Sequence, residues 1–241
     1  RRYRVYQAEE AGVLSIIRRL HASLLAPEDV IRHLGAPHHW KEGRSAKSLV
    51  DQWWSANALP PSICDILGQA DDWVGAELID AFVERSTSLA DGRPSHSQSD
   101  LMAIVGISDR LGILTIEAKV DEGFDQTVAE WLARDSPGKR ARLAGLCALM
   151  GLEESAVSTL RYQLLHRTAS AVLEAKRYRA RQAAMIVQSW SYADCGWLDY
   201  QFFFNALGLR GLAVGRLSAP LLIDGIVLRT AWSNEWRPDR A

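Results

Sequence analysis

Ser99-Asp100-Leu101-Met102-Ala103-Ile104-Val105-Gly106-Ile107-Ser108-Asp109-Arg110-Leu111-Gly112-Ile113-Leu114-Thr115-Ile116-Glu117-Ala118-Lys119-Val120 decides the fold. Leu101 to Ile107 is a short apolar run, Ser108 to Arg110 supplies turn chemistry, and Leu111 to Val120 is a second β-rich run. Two such runs around a short polar turn predict an antiparallel hairpin. With the turn centred near Ser108 and Asp109, Asp100 falls across from about Glu117. Directly opposed residues hold their Cβ atoms roughly 4.5 to 5.5 Å apart. Two carboxylates that close repel unless a cation lies between them or one is protonated. Glu117 and Lys119 are two apart and so share a face of the sheet.

That combination has a chemical use. Oxygen ligands suit a hard cation such as Mg²⁺, which usually takes one or two carboxylates and keeps several waters. A metal so held can lower the pKa of a water and stabilise a phosphoryl transition state. An adjacent lysine can hold that water or the phosphate. Asp100 and Glu117 are therefore candidate ligands for Mg²⁺ or Mn²⁺, with Lys119 as their catalytic companion. The competing reading is a surface ion pair between Lys119 and a carboxylate.

Outward from the hairpin, the first part of the chain reads helical. Ala26-Pro27-Glu28-Asp29 has a helix start, with Gly35 closing it. Ser45 is an N-cap for a helix through Trp54, and Pro60-Pro61 opens a short helix ending near Gly68. Asp71 or Asp72 caps a further helix to about Arg85, with Trp73, Ala76, Ile79, Ala81 and Val83 as its apolar surface. Ser86 to Ser99 reads as a loop. After the hairpin come helices at about Asp125 to Arg134, Lys139 to Met150 and Thr159 to Gln182. A buried strand at Ala184 to Trp190, an aromatic-rich helix at Gly196 to Leu207 and a strand at Leu221 to Arg229 follow. The expectation is an α/β (α+β) fold, a mixed central sheet flanked by helices. Residues 1–70 form a helical region packed on a core spanning 71–241.

Asp100, followed after a strand and turn by Glu117-Ala118-Lys119, resembles the PD-(D/E)xK, or restriction-endonuclease-like, nuclease superfamily. The order of helix, hairpin, helix and strand is similar to that superfamily's αβββαβ core over roughly residues 71 to 190. Ser99 stands where the superfamily name has Pro, and the first core strand is not evident. The stretch Leu160 to Val172 also looks like a block from uncharacterised bacterial proteins assigned to the superfamily. The resemblance implies a divalent-metal-dependent nuclease acting on DNA, with Asp100 and Glu117 on the metal and Lys119 at the water. It also implies an extra acidic ligand on the helix before the hairpin, where Glu77 and Glu84 lie. Glu77 is the better choice, because Ala76 and Ile79 beside it point to a face near the core. On the long helix Gln163, His166 and Arg167 stand at i, i+3 and i+4 and share one edge. They are expected to line the cleft as substrate-binding residues, against the plainer reading of helix-surface hydrogen bonds.

Composition bounds the remaining choices. With 48% hydrophobic and 24% charged residues the chain is ordinary for a globular protein. No apolar run approaches the roughly 18 to 20 residues of a membrane span, and Arg1 to Leu25 lacks the apolar stretch of a secretory signal. Cys64, Cys147 and Cys195 form no zinc or disulfide pattern and read as buried thiols of a cytoplasmic protein. The formal net charge of −1 hides an asymmetry. Residues 50–100 are strongly acidic and residues 134–181 strongly basic, so the second segment could meet a polyanion. His38-His39-Trp40 reads as loop or packing. Trp53, Trp54, Trp190 and Trp197 read as core. The absence of GxxxxGK[ST], HExxH and GxSxG removes simple NTPase, zincin and α/β-hydrolase readings. A nuclease-like module that binds nucleic acid without cutting it, and a protein-interaction domain, are the alternatives. Homodimerisation would suit cleavage of a duplex.

Overall fold

The expected hairpin forms between β2 (Ser97–Ile107) and β3 (Arg110–Lys119). Its rungs run from Ile107 opposite Arg110 to Leu101 opposite Ile116. The next rung in that register sets Asp100 abreast of Glu117. Ser108 turns the chain with φ of 55°, the left-handed backbone that suits a two-residue hairpin turn. The computed structural model describes residues 23–34, 38, 40–89 and 96–236. Gly35, His39 and most of the basic N-terminal stretch lie outside the described residues.

Around the hairpin lies a six-stranded mixed sheet in the order β1-β2-β3-β4-β6-β5. β1 (Glu77–Thr87) is antiparallel to β2. β4 (Gln182–Ser189) is parallel to β3, and β6 (Ile226–Asn234) is parallel to β4. β5 (Leu221–Ile223) closes the far edge against β6. The fold is α+β, as expected.

β1 corrects the sequence reading, which has a helix to Arg85. Trp73, Ala76 and Ile79 keep a three-residue spacing, but Ile79, Ala81 and Val83 alternate, and alternation is the strand period. The β-branched and aromatic residues of this segment complete rungs along the open edge of β2, from Glu77 opposite Gly106 to Thr87 opposite Ser97. The expected loop at Ser86 to Ser99 is accordingly shorter, because strands enter it from both sides. The single C-terminal strand is a hairpin instead, turned at Asp224 and Gly225, both with positive φ.

Side-chain alternation sorts the two cores. Leu101, Ala103, Val105, Leu114 and Ile116 face α1 (Ser45–Ala56) and α2 (Pro61–Leu67), with Trp53, Ile63, Leu67 and Trp73 in the same cluster. Gly112 leaves little room for a side chain: a Cβ would stand 2.9 Å from the Trp73 ring. Met102, Ile104, Ile113, Met185 and Val187 face the other way. That side is covered by α3 (Val128–Leu132), α4 (Pro137–Met150), α5 (Tyr162–Arg177) and α6 (Trp197–Ala206). α5 ends earlier than expected, since Arg179 takes φ of 58° and the chain enters β4 at Gln182. Asp100 shares the parity of Met102, and Glu117 and Lys119 that of Ile113, so all three point at α5.

Among the tryptophans, Trp53 is buried but Trp54 is exposed. Cys147 is buried, Cys64 is exposed and Cys195 lies between, correcting the expectation of three buried thiols. All three are free. No helix among the described residues is long and apolar enough to cross a membrane.

Candidate active site

The α5 edge meets the hairpin at Glu117. Arg167 Nε lies 2.5 Å from Glu117 Oε2, and Gln163 Nε2 lies 2.6 Å from Oε1. Lys119 Nζ stands 3.0 Å from the same Oε1 and donates to Gln163 Oε1 at 3.2 Å. Gln163 thus accepts from the lysine while donating to the carboxylate, which fixes its amide. Lys119 also rests over the Phe124 ring, 5.0 Å from its centroid, and is 5% exposed. A lysine so buried needs partners for its charge, so the expected ion pair between Lys119 and a carboxylate is present, with Glu117, but in the interior rather than on the surface. The i, i+4 spacing of Gln163 and Arg167 puts both on Glu117.

Asp100 behaves differently. Its Oδ2 accepts the Ala118 backbone N–H at 2.7 Å. Burial, then the Glu117 charge, push its carboxyl up to about 8, against the pull of Arg167. Burial also works against ionisation of Glu117, but Arg167 and Lys119 outweigh it and hold that carboxyl below its ordinary value. One acid of the pair is thus neutral near pH 7 while the other is ionised, as expected of close carboxylates. Arg167 is raised above its usual value: burial opposes its charge, and Glu117 and Asp100 more than compensate.

Glu84 is the residue that sequence reasoning set aside. It falls between the Val83–Leu101 and Arg85–Ser99 rungs, abreast of Asp100. Its φ of 50° is left-handed, a conformation that costs energy for a non-glycine residue in a strand. Burial pushes its carboxyl up to about 7, although Arg167 and a 2.7 Å hydrogen bond from Gln98 pull the other way. Glu77 is not with it. Glu77 is the exposed first residue of β1, seven positions from Glu84 and so roughly 23 Å along the strand. The choice of Glu77 rested on a helix face that does not exist. The usable signal for Glu84 was the two-residue alternation from Ile79 onward.

A cavity of about 400 Å³ opens onto these acids, lined among others by Arg44, Ser45, Glu84, Gln98, Asp100 and Arg167. The N-terminus of α1 forms one wall, and its unpaired backbone N–H groups favour an anion there. The cavity lies at the carboxyl end of β3, where ligands of open α/β sheets commonly bind. His166, the remaining expected residue, faces away from Glu117. Its Nδ1 is 2.9 Å from Ser97 Oγ, and Arg167 Nη1 is 3.3 Å from the same hydroxyl.

For a divalent ion the donor chemistry fits in kind. Asp100, Glu117 and Glu84 offer only hard oxygens, the donor type that Mg²⁺ and Mn²⁺ take. Among the described residues no group of three or more His, Cys, Asp or Glu side chains is placed to hold a metal ion.

A mixed sheet with the buried Glu117–Lys119 pair at a strand end, and with Asp100, Glu84 and Arg167 lining the adjoining cavity, defines an α+β domain with a charged cleft site. The chain belongs to the family described as a domain of unknown function, DUF6946, whose model matches residues 23–236. No curated protein and no solved structure matches the chain.

Proposed function

We propose that this protein is a divalent-metal-dependent nuclease of the PD-(D/E)xK type that hydrolyses phosphodiester bonds in DNA. The observation that carries the reading is that the hairpin register, continued one step past Leu101 and Ile116, sets Asp100 abreast of the buried Glu117, with Lys119 on the same face and Asp100 lining the cavity. The order β1, β2, β3, α5, β4 supports it, since β1 supplies the first strand that the sequence alone did not reveal.

In this reading Asp100 and Glu117 hold Mg²⁺ or Mn²⁺, with Glu84 rather than Glu77 as the nearby third acid. Such an ion supplies positive charge for the phosphoryl transition state and lowers the pKa of the attacking water. Lys119 orients that water and Arg167 meets the phosphate. The attacking water gives one proton to solvent as its oxygen bonds to phosphorus, one P–O ester bond breaks, and the departing oxygen takes a proton from solvent. The basic segment 134–181 grips backbone phosphates without reading sequence. The reading extends to a cytoplasmic protein, which the free thiols support, and to a homodimer if both strands of a duplex are cut.

One observation favours a second reading. Both Glu117 oxygens are already engaged by Arg167, Gln163 and Lys119. A site so closed describes a binding module without catalysis, which would hold nucleic acid without metal and survive loss of Asp100.

The test compares wild type with Asp100→Ala and Lys119→Ala on labelled single- and double-stranded DNA and RNA, with Mg²⁺, Mn²⁺ or EDTA. Metal-dependent cutting, reduced at least about 100-fold in both variants, is the expected result. No cutting by wild type on any substrate overturns the nuclease reading.

A further inference from the structure

Glu117 divides its two oxygens unequally. Oε1 takes two donors, Gln163 Nε2 at 2.6 Å and Lys119 Nζ at 3.0 Å. Oε2 takes one, Arg167 Nε at 2.5 Å. On the neighbouring strand Asp100 uses Oδ2 for the Ala118 N–H, and its Oδ1 accepts no hydrogen bond among the described residues. Asp100 Oδ1, without a donor, and Glu117 Oε2, held by a single donor, are the two oxygens a hard cation would share.

Arg167 bars that cation in two ways. Its Nε takes up the contact at Oε2, and its charge adds to that of Lys119 beside one carboxylate. Like charges so close repel strongly where water is scarce. Yet its hold on Glu117 is partial. A guanidinium has five N–H donors and often clasps a carboxylate by two parallel bonds. Arg167 gives Glu117 only its Nε–H, gives Nη1 to Ser97 Oγ at 3.3 Å, and makes no other hydrogen bond among the described residues. Most of its donors therefore remain for a second anion. The side chain lines the cavity beside Asp100, and the two non-bridging oxygens of a phosphodiester match the geometry of its fork.

We propose that Arg167 is a latch, which yields Glu117 Oε2 to a divalent ion and turns its guanidinium onto a phosphate of the strand. Ion and strand then bind cooperatively, each raising the affinity for the other by the same factor. The inference rests on the nuclease reading and adds regulation to that same site. It also separates the reading from the binding module, whose affinity for a strand is indifferent to metal.

The test uses binding alone, with the full chain. Mn²⁺ is titrated by calorimetry, without nucleic acid, into wild type and Arg167→Gln. The variant should bind Mn²⁺ more tightly by on the order of tenfold, since the ion no longer displaces a charge-assisted hydrogen bond. In EDTA, a fluorescent single-stranded DNA oligonucleotide is titrated with wild type, Glu117→Gln and the double variant Glu117→Gln/Arg167→Gln. Glu117→Gln should bind it about tenfold more tightly, because the guanidinium is released to the strand. The double variant should lose that gain. Glu122→Gln removes an acid that lines the same cavity but makes no hydrogen bond to Arg167, and so measures what charge alone contributes. Circular dichroism checks that each chain is folded, and the strand measurements decide by themselves if Arg167→Gln is not. Unchanged Mn²⁺ affinity in folded Arg167→Gln overturns the latch. So does a gain in Glu117→Gln no larger than that in Glu122→Gln. Both gains without cutting by wild type would remove the nuclease reading alone; cutting without either gain would remove the latch alone.

Discussion

Arg167 reaches from α5 to the carboxylate of Glu117, its Nε 2.5 Å from Oε2, so the cation nearest this buried acid is supplied by the protein. The same guanidinium lowers the cost of ionising Asp100 and Glu84. One side chain thus bears on the charge of three acids, although burial outweighs it at Asp100 and Glu84.

Arg167→Ala should therefore be severe. Removing one partner of a buried ion pair leaves an uncompensated charge, at about 3–5 kcal/mol, and here Arg167 and Glu117 are 11% and 3% exposed. Urea unfolding at neutral pH measures it. Stability unchanged from wild type would mean that Lys119 alone suffices for Glu117.

The acids also give the protein a directional pH response. Asp100 holds its proton in the folded state up to about pH 8, whereas unfolded chain releases it in the ordinary carboxylate range. The folded state binds more protons in that window, so stability falls as pH rises from about 4 through 8. Glu84, raised to about 7, acts in the same direction. Asp100→Asn should flatten part of that decline. In wild type, Mg²⁺ should raise the melting temperature more at pH 8.5 than at pH 6, because proton and ion compete for the same oxygens. A melting temperature indifferent to Mg²⁺ at both pH values argues against the metal site.

His166 gives the opposite slope. Its folded value of about 3 lies below that of an exposed imidazole. Unfolded chain takes up the proton first, and stability is lost as pH falls through about 6.5 toward 3. NMR of the ring nitrogens should show a neutral imidazole throughout pH 5 to 8. A midpoint near 6.5 would show that the ring is open to solvent.

Gly112→Ala tests the packing behind the hairpin. The added methyl would meet the Trp73 ring at 2.9 Å and the Ile107 side chain at 3.0 Å, and overpacking of this sort costs about 1–3 kcal/mol. Thermal melting followed by circular dichroism should show the loss. A melting temperature equal to that of wild type would mean that the indole can shift freely.

What could be read from residues alone was local. The rung joining Asp100 to Glu117 follows from a short polar turn between two β-rich runs, and a two-residue turn leaves little freedom in register. The edge shared by Gln163 and Arg167 follows likewise from helical spacing. The failures involve partners distant in sequence. Glu77 to Thr87 becomes a strand because β2 offers it a hydrogen-bonding edge, and no window confined to those residues contains that edge. Glu84 could not be put beside Asp100 until β1 existed. Lys139 and Arg142 appear in the sequence only as part of a basic segment; that they line a cavity with Trp131 and Tyr162 depends on how α3, α4 and α5 pack. The apolar neighbours of Trp54 point to the core, yet it is exposed on α1.

β1 forms one margin of the sheet, and its irregularities bear on how the protein keeps to itself. Its rungs slip between Leu78 and Asp80, Glu84 interrupts the pleat with left-handed backbone, and Glu77 and Asp80 project into water. A foreign strand adding to this margin would find no unbroken ladder to copy, and a second copy would bring carboxylates against carboxylates. The backbone that sets an acid beside Asp100 thereby also discourages the side-by-side stacking through which open sheets aggregate.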